Sequence, residues 1–444
     1  MVDLLVANPA RSVLLGFAAL ILLGTALLML PVATEPGQRT SPITALFTAT
    51  SAACVTGLVT VDTATHWSAF GEGVILALIQ IGGFGVMSAA SLLVLIVGRR
   101  ITGATAILSQ TESRTVEHEE TRTVLRGIAQ VTLVVQGTVA LLLFLRFWLG
   151  YDMPLGRAAY HGVFHSLSAF NNAGFGLRPD SIVPWAEDPF VNLPIMAAVM
   201  IGGIGFPVLW GLRRHLFRVG RWSVHMLVTV WVSVFLWVAG TVAVAAFEWT
   251  NPKTLGGLSP GGRVLAAAFQ SVVARTAGFN SVSVGDLHPE TLLTLDGLMF
   301  IGGGSAGTAG GLKVGTFALL GFVIWAELRG EPTVHAFHRR LPSATIRQAL
   351  TVALLSVGAV ATGTAGLLIG TDADLDDVLF EVISAFATVG MSTGLTPTLG
   401  VGGQLILVGL MFFGRLGPIT LGVALALRER PRRYEVPEER VLVG

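Results

Sequence analysis

From Gly73 to Gly98 the chain runs 26 residues without a charged side chain. In water such a stretch has no polar face to turn outward. In a bilayer, where about 20 mostly apolar residues cross the hydrocarbon core, it is long enough to span. The pattern recurs at Ser12–Ala33, Gly127–Leu145, Pro189–Leu212, Met226–Phe247 and Gln348–Thr371. With one basic residue each it returns at Gly297–Ala326, which holds Lys313, and at Leu399–Leu427, which holds Arg415. Eight spans in 444 residues predict one all-α polytopic membrane domain. Charged residues make up 12%, against roughly 25% in a soluble domain, which excludes an ordinary soluble enzyme or a disordered chain. Cys54 is the only cysteine, so the chain forms neither an internal disulfide nor a cysteine-based metal cluster.

Shorter apolar pieces lie between the spans: Pro42–Cys54, Ala158–Phe170, Arg263–Ala274 and Asp376–Ala387. At about 12 residues they are too short to cross and suit re-entrant segments. Basic residues set the orientation. Arg11, the 99–126, 213–221 and 329–347 loops and the tail carry 19 of the 28 Lys and Arg, so that side is expected to be cytoplasmic, with both termini inside. The opposite side is rich in acids, among them Asp62, Asp180, Glu187, Asp188, Asp286, Asp372, Asp374, Asp376 and Asp377. A negative vestibule concentrates cations.

The short pieces run into related sequences: SAACVTG (51–57), SAFNNAG (168–174), VVARTAG (272–278) and SAFATVG (384–390). Each closes on a glycine, Gly57, Gly174, Gly278 and Gly390, at separations of 117, 104 and 112 residues. Phe47, Phe164 and Phe380 stand ten residues before theirs, and Phe269 nine before its own. A second glycine motif follows 24 to 28 residues later: IGGFG (81–85), IGGIGF (201–206), IGGGSAG (301–307) and FFGRLG (412–417). The chain reads as four copies of span, short helix, glycine-ended loop and span. The expected boundaries are 1–98, 99–221 (a cytoplasmic loop and the second repeat), 222–340, 341–427 and a cytoplasmic tail, 428–444. Four short helices can aim their negative C-terminal ends at a central cavity. A glycine at positive φ lets loop carbonyls face the axis, where four loops can replace a cation's hydration shell. The neighbours Thr56, Ala173, Ala277 and Val389 are neutral, which suits a cation rather than an anion.

At these residues the sequence resembles the Trk/Ktr/HKT superfamily of potassium transport proteins, and most of all its Ktr-type membrane subunits, over essentially its whole length. SAACVTGL, SAFNNAGF, ARTAGFN and SAFATVGMSTG are similar to the four pore loops. The resemblance implies eight transmembrane helices and four re-entrant pore helices around a pseudo-fourfold ion pore. It implies a selectivity filter at Val55, Thr56 and Gly57, Asn172, Ala173 and Gly174, Thr276, Ala277 and Gly278, and Thr388, Val389 and Gly390. With glycine rather than serine at position 57, it favours K⁺ as the transported ion. It further implies a homodimer with one pore per protomer, and a cytoplasmic nucleotide-binding regulatory ring of Rossmann fold. Na⁺ is implied as an activator, and no organic cofactor on this chain. The start of the chain directly at the first repeat is the Ktr pattern.

Two departures from plain helices suggest a gate. In IGGGSAGTAGGLKVGT (301–316) seven of sixteen residues are glycine, each costing about 0.8–1 kcal/mol in a helix relative to alanine. This stretch is expected to be a broken helix. Its loop, Gly302, Gly303, Gly304, Ser305, Ala306, Gly307, Thr308, Ala309, Gly310 and Gly311, with Lys313 behind it, resembles the family's intramembrane gate loop. Arg415 falls at the matching depth of the fourth repeat, where a buried arginine is costly and functional by default. Arg275 is expected to brace a loop behind the filter, with Glu381 as a candidate partner. His161 and His165, spaced i,i+4, lack a third ligand and are read as non-metal residues. His335 and His338 read as solvated or partner-facing.

No Walker A motif, strand-borne dinucleotide fingerprint or catalytic set stands out, so the chain is read as no enzyme. Nothing in it points to nucleic acid, and its surroundings are the lipids of the cytoplasmic membrane. The function expected is K⁺ uptake through the pore-forming subunit of a Ktr/Trk-type system. The alternative is an alternating-access, cation-coupled secondary transporter, whose broken helices would instead come with inverted repeats.

Overall fold

The computed structural model describes residues 9–103, 113–216 and 218–427. The tail 428–444 and the centre of the 99–126 loop lie outside the described residues. Among the described residues fourteen α-helices of ten or more residues follow a recurring long, short, long order. The first group is α1 (Pro9–Leu28), α2 (Pro42–Ala53) and α3 (Ala69–Gly103). The second is α4 (Ser113–Gly150), α5 (Leu155–Asn171), α6 (Pro189–Ile204) and α7 (Phe206–His215). The third is α8 (Val224–Glu248), α9 (Pro260–Val273), α10 (Pro289–Phe300) and α11 (Val314–Leu328). The fourth is α12 (Ser343–Ile369), α13 (Leu375–Phe386) and α14 (Val401–Leu427). A two-residue antiparallel ribbon pairs His335 with Arg340 and Ala336 with Arg339.

The short helices α2, α5, α9 and α13 hold 12, 17, 14 and 12 residues. At 1.5 Å per residue they reach about 18–25 Å, less than the hydrocarbon core of about 30 Å. Local chemistry starts them sharply. Ser41 accepts from the Thr44 amide at 3.1 Å before α2, and Ser259 accepts from Gly262 at 3.2 Å before α9, each with proline at the first helical position. These helices fill the centre: Phe47, Phe164, Phe269 and Phe380 are all fully buried. The long helices carry the apolar exterior, with Leu22, Leu133, Phe235 and Leu293 each at least 65% exposed, the distribution expected of a lipid-facing surface.

Among the described residues five helices are long and apolar enough to cross a membrane, six if the bent pair α6 and α7 is one span. The expected span Pro189–Leu212 is thus broken into α6 and α7. The axis turns by 102° at Gly205, whose φ is +98°. The Ser305 carbonyl occupies the place of a Cβ on Gly205, and Pro207 follows at the start of α7. The expected third-group span Gly297–Ala326 is likewise two helices, α10 and α11, with the glycine-rich loop between them.

Candidate ion-conduction site

The loops that follow the four short helices share one backbone trace. Val55, Asn172, Thr276 and Thr388 have φ of +56°, +60°, +75° and +51°. Two residues on, Gly57, Gly174, Gly278 and Gly390 have φ of +95°, +69°, +73° and +94°. Three of the four non-glycines are β-branched, types that enter this region only under constraint. The constraint is visible in two loops: the Gly57 amide donates to Ser51 Oγ at 3.0 Å and the Gly390 amide to Ser384 Oγ at 3.1 Å. Thr56, Ala173 and Val389 donate to the carbonyls of Ser51, Ser168 and Ser384 at 2.7–2.8 Å.

The glycines close a ring. A Cβ built on Gly57 would run into the Ala173 carbonyl and lie 3.1 Å from the Gly174 Cα. On Gly174 it would lie 2.8 Å from the Gly278 Cα, on Gly278 3.1 Å from the Gly390 Cα, and on Gly390 2.9 Å from the Gly57 Cα. Segments more than a hundred residues apart thus meet backbone to backbone, which no residue with a side chain allows.

The glycine-rich loop lies against the ends of two of these loops. A Cβ on Gly302 would stand 3.5 Å from Thr276 Cγ2, and one on Gly310 would strike the Thr388 hydroxyl and the Ala387 carbonyl. The loop has a neck and a head. In the neck Gly302 donates to Leu312 at 2.9 Å, Leu312 to Phe300 at 3.2 Å and Val314 to Gly303 at 3.0 Å. The head docks on the bend of α6 and α7. Gly304 donates to Gly203 at 2.8 Å, Thr308 to Gly202 at 3.0 Å and Phe206 to Ala306 at 3.2 Å. Lys313 Nζ donates to the carbonyls of Ala309 and Gly310, and Arg415 Nη1 to that of Thr308. Arg415 is 3% exposed, and its Nε and Nη2 have no partner among the described residues.

The structure brings together the four glycine loops on one side and 302–311, Lys313 and Arg415 on the other. It gives Arg275 and Glu381 different partners, which corrects the proposed pairing. Arg275 follows the C-terminus of α9 and reaches Gly302. Glu381, midway along α13, accepts from the hydroxyls of Ser392 and Thr396 in the loop beyond Gly390. His165 Nδ1 contacts the His161 carbonyl at 2.8 Å and its ring packs among Phe147, Trp185 and Phe279. Among the described residues no three His, Cys, Asp or Glu side chains group as for a metal. The sequence reading missed Gly205 and Ser233. A glycine directly before Phe-Pro inside an apolar run was the available sign of the first; nothing marked the second.

A buried ring of backbone loops at the centre of an apolar helical bundle defines a membrane transport protein rather than one built for covalent chemistry. Residues 13–432 match the TrkH family, described as cation transport protein, and the chain belongs to that family. It is 38% identical to Ktr system potassium uptake protein B of Vibrio alginolyticus, over 98% of this chain and 94% of the relative. The protein of the same name from Bacillus subtilis is also 38% identical, over 98% and 97%. Potassium/sodium uptake protein NtpJ of Enterococcus hirae is 33% identical over 98% and 97%. The fold is shared with the potassium transporter TrkH of Vibrio parahaemolyticus, with a TM-score of 0.72 at 19% identity, covering 93% of this chain and 86% of the other. The chain is a transport protein and not an enzyme.

Proposed function

We propose that this chain is the ion-conducting subunit of a potassium uptake system in the cytoplasmic membrane, with both termini inside. Val55–Gly57, Asn172–Gly174, Thr276–Gly278 and Thr388–Gly390 form a carbonyl filter, one loop from each of four repeats, and the 302–312 loop with Lys313 and Arg415 gates it from the inner side. The observation that carries this reading is the closed ring of Gly57, Gly174, Gly278 and Gly390, with positive φ repeated two residues earlier in every loop. Alternating backbone conformations turn successive carbonyls to one side, and a ring of carbonyls substitutes for the water around a cation. The names of the relatives support K⁺ as the ion, and that of NtpJ supports a link to Na⁺.

The gate reading rests on position and charge. The loop abuts Thr276 and Thr388, and two cations hold it, Arg415 buried and Lys313 half-buried. The unpartnered donors of Arg415 keep a positive potential at that depth, which opposes a permeating cation until the loop and the arginine move. Regulation falls to partners: a second copy of the chain, and a cytoplasmic nucleotide-binding ring facing the basic inner loops.

The test is flux of K⁺ and Na⁺ into proteoliposomes holding only this chain, driven by membrane potential, for the parent and for a form with 302–312 shortened. The shortened form is expected to conduct faster, with K⁺ preferred in both. Na⁺ passing as readily as K⁺ would remove the filter reading; a folded, shortened protein with unchanged flux would remove the gate.

A further inference from the structure

The three cations around the loop are not equivalent: Arg275 and Arg415 are buried, Lys313 half-buried. Lys313 and Arg415 hold the head of the loop, while Arg275 comes from the end of a short helix and holds its neck. Comparison across the four groups shows what is special there. Gly82 lies against the Ala53 carbonyl, Gly202 against that of Phe170 and Gly414 against that of Phe386. Each of those carbonyls stands four residues before its loop glycine. In three groups the second long helix therefore meets the end of the short helix backbone to backbone at this glycine. In the third, Gly302 lies against Gly310 of its own loop, and the link to the short helix is a side chain.

That side chain is tied in several directions. Arg275 Nη2 donates to the Gly302 carbonyl at 2.7 Å, and Nη1 donates to the Ser233 carbonyl at 3.3 Å. Nη2 also lies 3.4 Å from Ser233 Oγ, and the guanidinium sits 5.4 Å from the centre of the Trp237 ring. Ser233 and Trp237 both belong to α8, so one residue joins the short helix, a long helix and the loop. Arg275 is 4% exposed, and a small cavity lined by Gly203, Ser233, Trp237 and Gly303 adjoins it.

We infer that Arg275 is the positioning residue that fixes the neck of the 302–312 loop, so that opening moves only the head between Gly304 and Gly311. This rests on the gate reading above. The asymmetry follows from what each attachment exchanges for on release. The head is held by backbone bonds to Gly202, Gly203 and Phe206 and by Lys313 and Arg415, and on the gate reading these groups border the ion pathway, where entering water can satisfy donors and acceptors alike. Arg275 is buried between α8, α9 and the neck, so releasing Gly302 would cost the guanidinium its shortest hydrogen bond inside the protein, a larger penalty. The neck therefore stays closed and the head swings about it, with the adjoining cavity as room for small shifts.

The experiment uses the full chain in proteoliposomes, with Arg275→Met and Arg275→Lys each made in the parent and in the form with 302–312 shortened. In the parent, Arg275→Met is expected to raise K⁺ flux roughly tenfold by shifting the closed population, with the K⁺/Na⁺ ratio unchanged. Arg275→Lys, which keeps the charge and one donor, should stay closer to the parent. In the shortened form Arg275→Met should add nothing, because its partner is gone. An equal effect in both forms, or a changed ion ratio, overturns the assignment. Hydrogen exchange across 300–314 supplies a readout independent of flux. Arg275→Met must speed exchange at Gly302, Leu312 and Val314, and unchanged protection there overturns the proposal even if the gate reading itself has failed on the shortened form. Should Arg275→Met not fold, Ser233→Ala removes one contact of the guanidinium and must act in the same direction to a smaller extent; no change in flux or exchange overturns the proposal as well.

Discussion

A Cβ built on Gly278 would lie 3.0 Å from the Cα of Gly174 and 3.1 Å from that of Gly390, at a φ of +73°. Both the space and the backbone conformation exclude a side chain. Gly278→Ser and Gly390→Ser are expected to widen the ring and lower the K⁺/Na⁺ permeability ratio several-fold, read from reversal potentials in mixed salts. An unchanged ratio in a folded variant would count against their role. The β-branched residues two positions earlier are strained by about 1–3 kcal/mol each. The serines six before the glycines help to offset this, unequally: Ser51 and Ser384 each accept from a glycine amide, whereas Ser168 Oγ has no partner among the described residues. Ser51→Ala and Ser384→Ala should each cost about 1–3 kcal/mol by leaving a buried amide unpaired, and Ser168→Ala much less. Thermal unfolding in detergent would rank the three, and equal losses would contradict this account. The closing glycines and their serines were legible in the sequence because they repeat. The positive φ at Val55, Thr276 and Thr388 was not, because valine and threonine do not favour it and only the closed ring imposes it.

Among the elements, the spans were readable wherever absence of charge coincided with a continuous helix, as in α3, α8 and α12. The short helices were readable to within about three residues, since serine and proline mark their starts and the glycine loops their ends. The bend between α6 and α7 was hidden, because hydropathy measures what a segment contacts and not whether its axis is straight. Its cause is tertiary: the Ser305 carbonyl needs the space beside Gly205. Charge complementarity misled in the same way for Arg275 and Glu381, since each is satisfied by uncharged groups nearer home. The bend has a functional consequence. A Cβ on Gly205 would collide with Ser305, and a φ of +98° is strained for alanine, so Gly205→Ala should push the loop head off its dock. The expected outcome is increased K⁺ flux without partners, with lower thermal stability and unaltered ion preference. Reduced stability with flux as in the parent would mean that the dock does not restrain the loop.

For the whole molecule, the electrostatic pattern runs along the proposed ion path. Basic residues gather on the expected inner side, while the loop before α13 and the first turn of that helix expose Asp372, Asp374 and Asp376 on the other. Three carboxylates within five residues raise the local concentration of cations at an entrance without contacting the filter. Such an effect depends on screening. The Debye length is about 30 Å at 0.01 M salt and about 8 Å at 0.15 M, so at the lower concentration the field of these acids extends over the mouth and at the higher it does not. Replacing all three by asparagine is therefore expected to lower K⁺ flux severalfold at about 0.01 M ionic strength and to leave it near the parent value at about 0.15 M. The K⁺/Na⁺ ratio should not change at either, because both ions carry the same charge and the proposed selection is at the glycine ring. A loss of flux that persists at high salt would place these aspartates in direct contact with the ion. No loss at low salt would mean that cations enter by another face.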